Sequence, residues 1–149
     1  MRLLDSTWYE GILGAALVVA FCCLGCGGSG ASQGGGDPAL VGTWAGTVTG
    51  NNVTVWTFTF TSTDVDVKMG TLAAYKGTYV ADPSTDPKRL TVNITESALS
   101  TYVGQASNGI YKIEGSTLTF AANQPGVATR PTDFTPTPDG VTLVFALNK

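Results

Sequence analysis

The sequence predicts an all-β chain, with about eight short antiparallel strands closing into an up-and-down barrel and a β-sandwich as the alternative. Three observations carry this. From residue 37 onward, apolar and polar residues alternate with period two in one run after another. Each run is bounded by Gly, Pro, Asn or Asp at turn spacing. Threonine, β-branched and polar, fills the wet side of most runs, while Val, Leu, Phe, Tyr and Trp fill the dry side. One dry and one wet face require a sandwich or a closed sheet. Hairpin turns between sequential neighbours favour the closed meander, which leaves no strand edge exposed. An immunoglobulin-like sandwich needs Greek-key crossings, and its Cys–Trp–Cys signature is absent.

The elements follow in order. Leu40, Gly42, Trp44, Gly46 and Val48 share one face of a first strand, and Gly50-Asn51-Asn52 turns it. Trp56, Phe58 and Phe60 then alternate with Val55, Thr57, Thr59 and Thr61. Val65, Val67 and Met69 alternate with Asp64, Asp66 and Lys68, which reads as a charged face blunting a sheet edge. Tyr75, Gly77 and Tyr79 follow, and Asp82 to Pro87 (DPSTDP) forms a turn, because Pro fixes φ and Asp bonds its own backbone. Leu90, Val92 and Ile94 make the next strand. Glu96 to Gln105 is the one stretch able to form a short helix. Asn108-Gly109 opens a strand through Glu114, Glu114-Gly115-Ser116 turns into Leu118 and Phe120, and a Pro-rich loop from Gln124 to Gly140 leads to Val141, Leu143, Phe145 and Leu147.

The N-terminus has a different composition. Residues 11–24 (GILGAALVVAFCCL) are an unbroken apolar run of 14 residues. That is short of the ~20 a spanning helix needs and matches the core of a signal peptide. The run ends in Leu24-Gly25-Cys26, which resembles the bacterial lipobox. The resemblance implies that residues 1–25 are a lipoprotein signal peptide, that Cys26 is lipidated, and that the mature chain is anchored in a membrane of the cell envelope. Gly27 after the cysteine resembles an outer-membrane address. Residues 26–36 hold this cysteine and a Gly/Ser tether (GGSGASQGGG), whose ten tether residues reach roughly 15–20 Å as a random coil. Residues 37–149 are the barrel domain. All 3 Cys lie at positions 22, 23 and 26, so no disulfide staples the domain.

Composition excludes several functions. With 8 basic against 11 acidic residues and a net charge of -3, the chain offers no stripe for a phosphate backbone, so no nucleic-acid partner is expected. With no His there is no His–Cys zinc site, no Ser–His–Asp triad and no imidazole base. No metal, cofactor or catalytic residue is assigned. Asp64 and Asp66 are two carboxylates without a calcium loop, and Glu114 and Asp133 lack an acid–base arrangement.

Further motifs point to a family. Gly42-Thr43-Trp44 looks like the Gly-x-Trp signature that opens lipocalins. Lys76-Gly77-Thr78-Tyr79 with Asp82-Pro83 follows, then Gly109-Ile110-Tyr111 with Glu114-Gly115-Ser116-Thr117-Leu118, then Arg130-Pro131-Thr132-Asp133-Phe134. In this order they resemble an uncharacterised bacterial lipocalin-like domain family, over residues 40–149. The resemblance implies a lipocalin-like barrel with no established activity. It also implies that Trp44 closes the barrel floor with a basic side chain over its ring, a place assigned here to Arg130. Asp133 is expected to pair with Arg130 and pin the long loop. Trp56, Phe58, Phe60, Tyr75, Tyr79, Phe120 and Phe145 are the candidate lining. An eight-stranded barrel is either filled by such side chains or holds one small ligand. The expected function is thus a lipid-anchored, non-catalytic envelope protein binding a small hydrophobic ligand. The alternative is a solid barrel that works as a structural or protein-interaction module.

Overall fold

The computed structural model describes residues 36–149. The expected signal peptide, Cys26 and nearly all of the tether lie outside the described residues. Eight strands follow one another: β1 (Gly42–Val48), β2 (Asn51–Phe60), β3 (Asp64–Met69), β4 (Leu72–Asp82), β5 (Lys88–Ser97), β6 (Ala106–Glu114), β7 (Thr117–Asn123) and β8 (Thr142–Asn148). Each pairs antiparallel with the next, and β8 pairs with β1 across Ala45↔Asn148 to Val48↔Phe145, so the sheet closes as a barrel. The up-and-down barrel is therefore the fold, and the sandwich alternative falls.

Closure needs strong local curvature, and three register shifts supply it, at Thr47/Val48, Val67/Lys68 and Lys76/Gly77. The predicted faces hold except at Met69, which follows the register shift at Val67/Lys68 and is exposed instead of sharing the face of Val65 and Val67. Trp44, Phe58, Phe60, Val65, Val67, Tyr79, Leu90, Val92, Ile94, Phe120, Phe145 and Leu147 are all buried in one core. The Thr-rich face points outward.

Several local expectations are revised. β1 starts at Gly42, so Leu40 belongs to the turn ahead of it, where it is nonetheless fully buried. Asn108-Gly109 lies inside β6 instead of opening it. The stretch from Glu96 holds the end of β5 and a single 3-10 turn, Ser100–Tyr102. Asp64, Asp66 and Lys68 do not guard an edge, because β3 is paired on both sides by β2 and β4. The outer wall is also not uniformly wet. Ile110, Ala121 and Val144 are buried on it under Phe134 of the 124–141 loop.

The antiparallel order puts the turns at two ends. Segment 36–41, turns 61–63, 83–87 and 115–116, and Lys149 lie at one end. Turns 49–50 and 70–71 and loops 98–105 and 124–141 lie at the other.

Candidate functional site

The first end is closed by its own side chains. Trp44 is buried on β1, and its indole N–H donates to the Leu40 carbonyl at 2.7 Å. The cation over its ring is Lys149, whose Nζ sits 5.1 Å from the ring centroid and donates to the Val41 carbonyl at 2.7 Å. Gly42 makes this possible. Its φ of 132° suits glycine, and a Cβ there would lie 2.6 Å from the Lys149 Cε. Gly42 and Trp44 thus lie together at this end, and the cation over the ring is Lys149 instead of Arg130.

Arg130 lies outside the barrel wall. Its guanidinium donates to the Leu90 carbonyl at 2.8 Å, to the Gly109 carbonyl, to Thr91 Oγ1 at 2.7 Å and to Asn108 Oδ1 at 3.3 Å. Burial, with Arg89 nearby, lowers its pKa. A planar fork with five donors suits this array of oxygens on neighbouring strands. Asp133 is not its partner among the described residues, and instead accepts the Thr135 N–H at 2.8 Å. The long loop is pinned by Arg130 through these wall oxygens. Asn108 adds hydrogen bonds to the Val127 and Ala128 carbonyls, and Asn123 to that of Thr129.

The same end holds a buried carboxylate, Asp37, in the segment ahead of β1. Asp37 accepts from the Tyr111 hydroxyl at 2.8 Å, from Lys88 Nζ at 3.3 Å and from the Ala39 N–H at 3.0 Å. Burial opposes ionisation of this carboxyl. The donors of Ala39, Tyr111 and Lys88 outweigh it and hold the pKa below the usual value. Burial, and then Asp37, push the Tyr111 phenol up. Nearby, the Tyr79 hydroxyl donates to the Thr61 carbonyl at 2.7 Å.

The predicted lining divides into two groups. Phe58, Phe60, Tyr79 and Phe120 fill the lower lumen. Phe58 stacks with Phe60 at 6.3 Å and meets Phe120 edge-on at 5.9 Å, and Phe60 meets Tyr79 edge-on at 5.1 Å. Trp56 and Tyr75 stand half-buried at the opposite end. Phe145 forms the floor between the groups, 5.1 Å from Phe58 and 5.4 Å from Trp56. Above that floor is a cavity of about 160 Å³, lined chiefly by Trp56, Tyr75, Tyr102, Ser107, Leu143 and Phe145. Tyr102, Ser107 and Leu143 were not among the predicted lining. Tyr102 comes from the 3-10 turn, outside any alternation, whereas Leu143 shares the inward parity of Phe145 and was legible in it. Burial raises the Tyr75 pKa, so its hydroxyl stays protonated as a donor, and it has no hydrogen-bond partner among the described residues. No group of three metal-ligating side chains occurs among the described residues.

Compared with protein-family models, curated proteins and solved structures, the chain matches none.

Proposed function

We propose that this protein is a lipid-anchored, lipocalin-like barrel of the bacterial cell envelope that binds one small hydrophobic ligand at its open end without catalysis. The barrel fold supports this, and the observation that carries it is the aromatic cavity above Phe145. Its size sets the ligand class. A dry cavity of roughly 150 Å³ in another protein takes benzene, so a single ring or a short apolar chain fits here and a long acyl chain does not. The free donor on Tyr75 adds one preference, for an acceptor oxygen on the ligand. The anchor rests on Cys26 and the apolar run before it. Gly27 supports an outer-membrane destination.

The test is native mass spectrometry of the barrel, residues 36–149, purified gently from an envelope extract, beside a Trp56→Ala variant. A bound adduct of small mass, lost on denaturation and weakened at least tenfold by Trp56→Ala, is the expected result. A bare chain mass for the wild type overturns ligand binding. The packed lower lumen favours the second reading, a solid interaction module, and that result would turn the search to protein partners.

A further inference from the structure

We propose that the open end of the barrel inserts its loop tips into the hydrocarbon margin of an uncharged lipid surface. This stands on the rim rather than on the cavity, so it survives even if no small ligand binds. Six of the large apolar side chains exposed among the described residues crowd this end: Val53 (91% exposed), Leu72 (65%), Leu99 (56%), Val55, Val103 and Met69. They form one arc. Trp56 pairs with Met69, the Gly70 N–H donates to the Val55 carbonyl at 2.8 Å, and the Ala98 N–H donates to the Ala74 carbonyl at 3.3 Å.

Charge identifies the occupant. Residues 48–57, 69–75 and 97–107 contain no charged side chain. Of the charges that flank them, Lys76 and Glu96 neutralise each other at 3.6 Å, leaving Lys68 on the outer wall. The 124–141 loop of the same end adds Asp133, Asp139 and an Arg130 already held on wall oxygens, so this end offers no free cluster of Lys and Arg to attract anionic headgroups. Tips that project around an opening would touch a flat protein face at scattered points, whereas fluid hydrocarbon closes around each one. The backbone is prepared for a dry medium, where an unpaired N–H is costly. The N–H groups of Gly70, Leu99, Tyr102, Val103 and Gly104 all donate within the loops or to the strand beneath. Trp56, Tyr75 and Tyr102 lie just under the aliphatic tips, where amphipathic rings favour a membrane–water boundary.

Both neighbours of every strand lie within Gly42–Asn148, so residues 36–149 fold as a unit and suffice for the test. This segment is mixed with phosphatidylcholine vesicles carrying brominated acyl chains. The expected result is co-flotation with quenching of Trp56, while Trp44, buried at the far end, keeps its emission. V53S/L72S/L99S should bind about tenfold more weakly for each side chain removed from hydrocarbon, with unchanged near-UV circular dichroism. Val53→Ser alone, at a tip, should show one such step, and Val80→Ser on the wall none. No flotation of the wild type, equal flotation of the triple variant, or binding only after anionic lipid is added would each overturn the proposal. Concentration-dependent dimers abolished by V53S/L72S/L99S, without flotation, would also overturn it and assign the rim to a second copy.

Discussion

The two ends of this barrel use the same residue types to opposite effect. At the closed end, every aromatic polar atom has a partner: the Trp44 indole on Leu40, Tyr111 on Asp37, Tyr79 on Thr61. Lys149 and Lys88 lie over rings or against a carboxylate. At the open end, Trp56 and Tyr75 are half-buried, the Tyr75 hydroxyl has no partner among the described residues, and the surrounding tips are apolar and exposed. Buried polar groups stabilise and specify only when they are satisfied. The closed end is therefore the part that holds the fold, and the open end is the part whose polar and apolar groups are left without partners among the described residues.

Substitutions at each end test this division, and the largest effect belongs to Trp44. Its replacement by Ala removes a fully buried ring, the bond to Leu40 and the seat of Lys149. We expect a loss of about 3–5 kcal/mol in urea unfolding. A loss below about 1 kcal/mol would break the comparison, because the plug would then be ornamental.

Asp37→Ala comes next, at about 3 kcal/mol near neutral pH, since it strands the Tyr111 hydroxyl and Lys88 together. Its pH dependence sharpens the point. The folded pKa of Asp37 is held below the unfolded value of about 3.9. The contribution of this carboxylate is therefore complete above that value and is lost as pH falls through the lower folded one. Wild type and variant should differ by a constant amount from pH 7 to 5 and converge below about pH 4. Asp82 and Asp139, held low by hydrogen bonds from Ser84 and Thr137, are common to both proteins and cancel. A gap unchanged at pH 3 would show that the charge on Asp37 is irrelevant to its role.

The smallest effect is expected at the rim. Val53→Ser should change unfolding stability by less than about 0.5 kcal/mol, because the residue is almost wholly exposed. A larger loss would mean that the tip supports the fold and is not free for an occupant.

Much of the fold was legible because a strand with one buried face writes its own period. Phe58 with Phe60, Val65 with Val67, and the run Leu90, Val92 and Ile94 all point inward as their alternation requires. Gly42 and Trp44 were legible as a motif, although the reason for Gly42, the room it leaves for the Lys149 side chain, is not visible without the contact. The site was less legible. All seven predicted lining residues lie inside, but alternation cannot tell a filler ring such as Phe120 from a mouth ring such as Trp56, because both share the inward parity.

Local sequence thus determined the strands, most of their faces and most of the turns, since these depend on residues two to four apart. Tertiary structure decided which cation covers Trp44, and that the long loop is held by Arg130 on the carbonyls of Leu90 and Gly109 rather than by Asp133. It also decided that Asp37 meets Tyr111 across 74 positions of chain, and which end stays open. Each of these depends on how a closed, bulged sheet brings distant residues together, and curvature leaves no mark in the period of any one strand.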